Sequence, residues 1–275
     1  MKLLKLYSYS NNKQIWRIIP TTSDKIAIEE RTPDKQVFFS CFHLNDGRKI
    51  FSDYQLDEKY WIGIEAIHND IIYFHKYEKP DMPTHRGIIA LDIPSQRELW
   101  RNEDYYFSFI SDEKIFCKRQ FFESSEYFSV NLLSGESDDN LLIEKDDIEE
   151  KKLLTENELN YDSYKFPQKW FANESDSLIN DKKLNELLNS EPVAGNIEFI
   201  TVNENLLISY NVLEKGNLFT NNFKMINLTT GEINYETTLA DYSKTMLLDS
   251  FFIKDNYLFL LKGKNSLDVF YLSKL

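Results

Sequence analysis

The chain has 275 residues, of which 42% are apolar and 28% are charged, and its formal net charge is −13. This is the composition of a globular protein that can bury a substantial core. The negative charge opposes binding to nucleic acid and to anionic membranes, and no run reaches the roughly 18 apolar residues that span a bilayer. We therefore expect neither nucleic acid nor a membrane as a partner.

A strand-turn-strand pattern recurs along the chain. Its copies read FHLNDG at 42–47, LDIPSQ at 91–96, VNLLSG at 130–135 and INLTTG at 226–231. The side chains of Asp92, Asn131 and Asn227 can bond the turn backbone, and the glycine can take the left-handed conformation. His43 holds the same position in the first copy, where a structural turn role is expected. Each copy therefore predicts a β-hairpin.

Another pair of apolar strands precedes each hairpin, which gives repeating units of four antiparallel strands. Units of this kind with a period of roughly 40–50 residues are typical of a β-propeller, whereas a sandwich or two-domain fold predicts no such recurrence. In chain order, the blades are assigned to about 14–56, about 59–103, from Tyr105, about 194–240 and from Thr245. The sequence thus predicts an all-β fold, a five-bladed β-propeller that forms a single domain over residues 1–275.

The two ends of the chain are predicted to meet. The fifth blade is one strand short, while residues 2–10, KLLKLYSYS, alternate in polarity and belong to no blade. Because a closed ring has no exposed sheet edge, we expect residues 2–10 to pair beside residues 266–273. We also interpret the N-terminus as mature protein and not as a signal peptide.

Some of these segments resemble known families. The hairpins LDIPSQRELW and INLTTGEINYE resemble the repeats of quinoprotein-type, or PQQ-like, propellers. The chain, above all residues 61–92, WIGIEAIHNDIIYFHKYEKPDMPTHRGIIALD, also resembles an uncharacterised bacterial family classed as a domain of unknown function. This resemblance implies a cytoplasmic, propeller-like protein and brings no assigned activity. The quinoprotein cofactor site uses an adjacent cysteine pair and calcium, whereas Cys41 and Cys117 are far apart, so no cofactor is expected. Free thiols in strands also suit a reducing cytoplasm.

The segment HKYEKPDMPTHRG, residues 75–87, carries two of the four histidines. It joins the second and third strands of blade two, so His75 and His85 could approach each other across the neck of the hairpin. Tyr77 lies between them, and Asp81 could add an oxygen ligand. These residue types are the ones that bind metals or polar small molecules.

Two other interpretations of this loop remain open. The first is a rigid structural loop, stiffened by Pro80 and Pro83, with partly packed imidazoles; the second is general acid–base catalysis. The H-x₉-H spacing matches no established metal motif. His68 is expected in a turn at the opposite end of the blade, which disfavours a three-histidine site. Since neither His75 nor His85 holds a core position of the repeat, we expect their replacement to leave the fold intact.

Acidic residues supply the remaining candidates. Three acids lie on predicted innermost strands and could line a central channel: Glu65, Glu198 and Asp249. Two carboxylates across such a channel could serve glycoside hydrolysis. The structural alternative is that they only form a solvated channel wall. No nucleophile elbow, phosphate loop or metalloprotease motif occurs, so no catalytic or metal-ligating residue is assigned. Further acids are expected on the rim beside the imidazoles: Asp57, Glu58, Glu103 and Asp104. The candidate ligand-binding residues are His75, Tyr77, Asp81, His85 and Glu65.

Residues 137–193 interrupt the period. Residues 136–158 hold ten acids against three lysines, and we expect this acidic run to be mobile because like charges resist compact packing. An aromatic stretch, YDSYKFPQKWF, follows and is expected to pack on the propeller, and NDKKLNELLNSEP predicts a helix at about 180–190. Long insertions often carry function, so the segment is either a lid or buttress, or a docking arm.

These observations support two functional hypotheses. The first is a non-enzymatic cytoplasmic propeller that binds a protein partner through a loop face or through the 137–193 insertion. The alternative is a small-molecule or metal-binding protein, hydrolytic in one version, whose site lies at the 75–87 loop and the channel mouth. The sequence leaves the ligand, the partner, any catalytic activity and the oligomeric state open.

Overall fold

The computed structural model describes residues 2–78, 82–137, 142–158, 163–171 and 191–273. The strands before the helix are β1 (Lys2–Ser10), β2 (Gln14–Pro20), β3 (Lys25–Arg31), β4 (Val37–His43), β5 (Lys49–Tyr54), β6 (Ile62–His68), β7 (Ile71–Tyr77), β8 (His85–Asp92), β9 (Arg97–Asn102), β10 (Tyr105–Ser111), β11 (Lys114–Gln120) and β12 (Ser125–Asn131). The helix is α1 (Lys145–Glu158). The strands after it are β13 (Tyr164–Lys165), β14 (Gln168–Phe171), β15 (Val193–Val202), β16 (Asn205–Glu214), β17 (Leu218–Asn227), β18 (Ile233–Ser243), β19 (Phe251–Lys254), β20 (Tyr257–Lys262) and β21 (Ser266–Ser273).

The chain divides into two compact units: residues 13–160, called the first unit, and residues 1–12 with 161–275, called the second unit. The first unit holds three antiparallel sheets with strand orders β2-β3-β4-β5, β6-β7-β8-β9 and β10-β11-β12. In each sheet every strand pairs with its neighbours in the chain. The first two sheets have the four strands and the boundaries that the sequence predicts. The third has three strands within the described residues.

The predicted hairpin turns are confirmed in detail. Asn131 Oδ1 accepts hydrogen bonds from the backbone N–H groups of Leu133 and Ser134, at 2.8 and 3.1 Å. Asn227 makes the same pair of bonds in the second unit, and Asp92 makes one of them. The turn glycines take positive φ, for example 68° at Gly135. The polar side chain and the left-handed residue thus fix each turn locally.

Strand β7 of the second sheet is buried on both faces. Alternate residues of β7 serve the two sides: Ile72 and Phe74 belong to the core shared with the first sheet, and Ile71 and Tyr73 to the core shared with the third. Phe74 stacks at a tilt on Phe39 of the first sheet, with ring centroids 4.6 Å apart. This two-sided burial explains why β7 is continuously apolar, since period-2 alternation places side chains on both faces.

Helix α1 packs on the third sheet, in the segment that we expect to be mobile. Ile148 is buried against Phe109 and Phe116, and Lys151 pairs with Asp112 at 2.5 Å. Acids in the first helical turn favour the helix dipole, which is why the acidic run can still form a helix. The predicted helix at about 180–190 lies outside the described residues.

The second unit contains two five-stranded antiparallel sheets with orders β14-β15-β16-β17-β18 and β1-β21-β20-β19-β13. β1 pairs with β21 as predicted, in an antiparallel register that runs from Lys2 opposite Ser273 to Ser10 opposite Ser266. The aromatic stretch supplies β13 and β14, each beside the first strand of a meander. Packing of this stretch on a sheet is thus observed, and it adds strands that the four-stranded prediction does not contain.

Apart from α1, the described chain is all-β, and its antiparallel meanders are consistent with a propeller-like fold. Within the described residues, no helical stretch has the length and apolar character that crossing a membrane requires.

Candidate ligand site

A β-bulge on β6 directs Glu65 toward its partners. Ile64 lies opposite Phe74 and Ala66 opposite Tyr73, so Glu65 is an extra residue with no partner on β7. A bulge of this kind bends the strand and re-aims a side chain, and such bulges are common beside functional sites. The regular alternation of inward and outward residues therefore does not determine where Glu65 points.

A second irregularity lies between β7 and β8. Phe74 pairs with Ile89 and Lys76 with Arg86, so one residue of β7, His75, faces two residues of β8. One of these two is Gly87, which takes a φ of 81° that favours glycine. His75 thus lies at the irregularity on the β8 side, while on the β6 side it pairs with Gly63, two residues before the bulge at Glu65.

Gly63 leaves the space that the His75 ring occupies. The two residues are direct cross-strand partners, and a Cβ on Gly63 would lie 3.0 Å from Cε1 and 3.1 Å from Nε2 of His75. Seven of the eight glycines have positive φ, and Gly63 is the exception. Its backbone does not require glycine, so the absence of a side chain serves the packing of His75.

One carboxylate oxygen contacts both imidazoles. Glu65 Oε2 lies 2.7 Å from Nδ1 of His85, as a hydrogen bond, and 2.9 Å from Nδ1 of His75. The two rings are stacked, with centroids 3.4 Å apart and planes 4° apart. Tyr77 stands edge-on to both rings, 5.2 Å from each centroid. Four of the five predicted ligand-binding residues therefore meet, and the fifth, Asp81, lies outside the described residues.

His75 is buried and has unsatisfied polar atoms. It is 3% exposed, and its Nδ1 lies 2.9 Å from Oε2 of Glu65 in a geometry that is not aligned as a hydrogen bond. Neither ring nitrogen of His75 has an aligned hydrogen-bond partner among the described residues. A buried polar group in this state costs about 1–3 kcal/mol. His85 differs, because its side chain is 38% exposed.

The carboxyl of Glu65 is held in its ionised form. Burial by itself raises its pKa, but the contacts with His75 and His85 favour the ionised form and lower the pKa more. The resulting pKa lies below the ordinary glutamate value, so Glu65 is a carboxylate at neutral pH. An ionised oxygen and two imidazoles form a donor set that can bind a metal ion.

The acids expected on the rim make local ion pairs. Glu103 pairs with Lys76 at 2.7 Å, and Asp104 pairs with Arg86 at 2.6 Å. Asp57 pairs with Arg101, and Glu58 accepts the backbone N–H groups of Tyr60 and Trp61. These charges are engaged with their own partners, so the cluster is formed by Glu65, His75 and His85, with Tyr77 beside them.

Glu29 supports the site from the first sheet and was not identified from the sequence. It is 1% exposed, and its Oε2 accepts the N–H of Ile64 at 3.2 Å. Arg31 pairs with its other oxygen at 3.1 Å and covers the ring of Trp16 at 4.3 Å. Glu29 Oε2 would also lie 3.3 Å from a Cβ on Gly63. The run KIAIEER, with two acids in an apolar strand, is the signal that could have indicated it.

The other sequence candidates have structural roles. Glu198 is buried and accepts the N–H groups of Asp249 and Ser250, at 2.8 and 3.4 Å. Asp249 also pairs with Lys169 of β14. The expectation that these two acids line a solvated channel is therefore wrong for Glu198. His68 lies 3.5 Å from Glu113 and outside the cluster, as the disfavoured three-histidine site implies.

Residues 19–100 match a family described as Domain of unknown function (DUF4905), and this stretch contains the whole cluster. No curated protein matches the chain. Among solved structures, a chain described as Europium-containing methanol dehydrogenase is similar, with 10% identity and a TM-score of 0.34. That alignment covers 94% of this chain and 51% of the other, so this chain spans about half the length of the solved structure.

Proposed function

We propose that this protein is a non-enzymatic binding protein whose ligand site is the cluster of Glu65, His75 and His85, with Tyr77 at its edge. The observation that supports this most is the shared carboxylate oxygen, 2.7 and 2.9 Å from two imidazole nitrogens. Two irregularities in strand pairing lie beside this arrangement, and so does Gly63, whose backbone conformation does not require glycine. Local irregularities that break the regular pattern of the sheet and cost stability are typical of functional sites.

The proposal extends to the fold and the location. The five sheets are five blades of a single ring, closed where β1 pairs with β21, and the 137–193 segment is an insertion between blades three and four. The antiparallel meanders and the register of β1 support this interpretation. A cytoplasmic location is supported by two free, buried thiols, Cys41 and Cys117.

A second candidate function is docking of a protein partner. It is supported by apolar side chains that face solvent in the first unit. Phe122, in the turn between β11 and β12, is 99% exposed, and Leu153 and Leu154 of α1 are 61% and 55% exposed. Exposed apolar residues that neighbour one another, as Leu153 and Leu154 do in the chain, are typical of interaction surfaces. If this second function holds, α1 has two roles: Ile148 anchors it to the third sheet as a buttress, and its exposed leucines form a docking surface.

Native mass spectrometry tests the first proposal. The untagged full-length protein, purified without chelators, is expected to carry an additional bound mass. The Glu65→Gln and His85→Ala variants are expected to lose it, because each removes one arm of the cluster. His43→Ala and His68→Ala are matched controls outside the cluster and should retain it. A wild-type protein without any bound mass, or one whose bound mass survives both cluster variants, would contradict the proposal.

A further inference from the structure

We infer that the ligand of this cluster is a single divalent transition-metal ion of the first row, with Zn²⁺ as the reference case, held by Glu65, His75 and His85. This inference rests on the proposed function and adds the chemical class of the ligand. It makes a positive assignment where the sequence motifs assigned no metal.

The donor atoms select this class of ion. Two imidazole nitrogens and one carboxylate oxygen are the ligand types of Zn²⁺ and its first-row neighbours. Mg²⁺ and Ca²⁺ prefer shells made of oxygen atoms, and the cluster offers one carboxylate. A divalent ion bound by one carboxylate and two neutral imidazoles forms a site with a net charge of +1. An anion or a water molecule can take the coordination position that remains open.

The spacing of the donor atoms is close to that of a metal shell. Ligands of tetrahedral zinc lie about 2.0–2.2 Å from the ion and therefore about 3.3 Å from one another. The two Oε2–Nδ1 distances here are 2.9 and 2.7 Å. An expansion of about half an ångström along each edge converts the hydrogen-bonded arrangement into a coordinating one.

The stacked rings identify the part that moves. Parallel rings with centroids 3.4 Å apart cannot point both in-plane lone pairs at one ion, so one ring has to turn. His75 is fixed by its burial and by its fit against Gly63. His85 is 38% exposed at the first residue of β8 and can rotate toward the ion.

The buried imidazole supplies an independent observation. His75 is only 3% exposed, and neither of its ring nitrogens has an aligned hydrogen-bond partner among the described residues. Coordination through one nitrogen satisfies that atom. The carboxylate of Glu29 and Nε2 of His75 border the same space beside Gly63. A carboxylate behind a coordinating imidazole orients the ring and strengthens the ligand.

Titration with metal ions tests the inference. The untagged full-length protein is treated with chelator, dialysed and titrated with Co²⁺, and then with Zn²⁺ as competitor. The wild-type protein is expected to take up one equivalent, with a visible Co²⁺ absorption that Zn²⁺ removes and that millimolar Mg²⁺ leaves unchanged. His85→Ala and Glu65→Gln should each weaken binding at least tenfold. His43→Ala and His68→Ala should bind like the wild type.

The outcomes separate the inference from the proposal on which it rests. Saturable metal binding that is weaker in His85→Ala supports both the inference and the proposed function. Because His85 is half-exposed, the His85→Ala variant is expected to fold even if a His75 variant does not. Absence of saturable binding, or equal affinity in His85→Ala and the wild type, overturns the metal inference. An organic mass bound at the cluster by mass spectrometry, without metal uptake, overturns the inference and leaves the proposed function standing. Absence of both overturns both.

Discussion

The rings of His75 and His85 lie face to face, 3.4 Å apart between centroids, and a single oxygen of Glu65 contacts Nδ1 of each. The two rings differ in burial, and this difference determines what each replacement does. Removing the buried His75 leaves a cavity in the sheet, whereas His85 contributes one hydrogen bond at a half-exposed position. The expectation that both can be replaced without harm to the fold now applies to His85 alone.

Replacing Gly63 with alanine is expected to displace His75. The added Cβ would meet the imidazole at 3.0 Å, which is too close for an ordinary contact. Overpacking of this kind costs about 1–3 kcal/mol, to be measured by urea unfolding. In a His75→Ala background the same change should cost much less, because the ring is absent. Equal costs in the two backgrounds would show that Gly63 does not serve His75.

Asp268 is expected to secure β1 in a pH-dependent way. It is 3% exposed, accepts a hydrogen bond from Ser8 at 2.6 Å and pairs with Lys5 and Lys262 at 3.0 and 3.1 Å. Burial raises its pKa, but Ser8 and the two lysines lower it more, so the folded pKa lies below the unfolded value. Its stabilisation is therefore complete above the unfolded pKa, near 4, and is lost as the pH falls through the folded pKa.

The variant Asp268→Asn tests this relationship. At pH 7 it should lower the free energy of unfolding by about 1–2 kcal/mol, since it removes the charge that the partly exposed Lys5 and Lys262 pair with and weakens the hydrogen bond from Ser8. The difference from the wild type should shrink as the pH drops below about 4, where the unfolded wild-type chain takes up the proton first, and should be gone below the folded pKa of Asp268. A difference that is constant from pH 7 to pH 3 would show that packing, and not charge, explains the effect.

Removal of residues 2–10 is expected to expose the edge of β21. That edge pairs with β1 over almost the whole strand, from Ser266 to Ser273. Unpaired backbone groups and a free edge lower stability by several kcal/mol, about half of a typical domain's margin, and promote aggregation. Replacing Leu4, which is 59% exposed, with serine keeps the strand and serves as the control. A truncated protein that melts like the full-length chain would argue against ring closure by β1.

Helix α1 is expected to depend on Ile148. This side chain is 4% exposed and is the buried residue of the helix in the cluster with Phe109 and Phe116. Ile148→Ala should therefore release the helix from the third sheet, at a cost of about 2–4 kcal/mol locally. Limited proteolysis should first cut within residues 138–158, faster in this variant than in the Leu153→Ala control. First cuts within β2–β9 would contradict this order of stability.

The sequence predicts those parts of the fold that depend on local chemistry. Asn131 and Asn227 form the expected turns because a side chain two residues away is sufficient to satisfy the turn backbone. The boundaries of the first two sheets follow from these turns and from the apolar strands between them. The pairing of residues 2–10 with β21 was predictable because an alternating strand without a blade needs a sheet edge.

Other features depend on tertiary context. The predicted meeting of His75 and His85 required only their hairpin, but the approach of Glu65 depends on a bulge that leaves no pattern in the sequence. Gly63 looks like any strand glycine until the ring opposite it is seen. Helix α1 was hidden by its charges, because one buried isoleucine is too small a signal for amphipathic periodicity. Strands β13 and β14 have no turn signals of their own and are fixed by the sheets beside them.

The four histidines permit a direct test of the central claim by NMR. Long-range ¹H–¹⁵N spectra report the tautomer of each imidazole, and assignment uses the single His→Ala variants. On addition of one equivalent of Zn²⁺, two of the four patterns, those of His75 and His85, should change to metal-bound positions and become fixed in one tautomer. The patterns of His43 and His68 should remain as they were. If all four respond alike, or if those of His75 and His85 do not change, the cluster is not the site of metal binding.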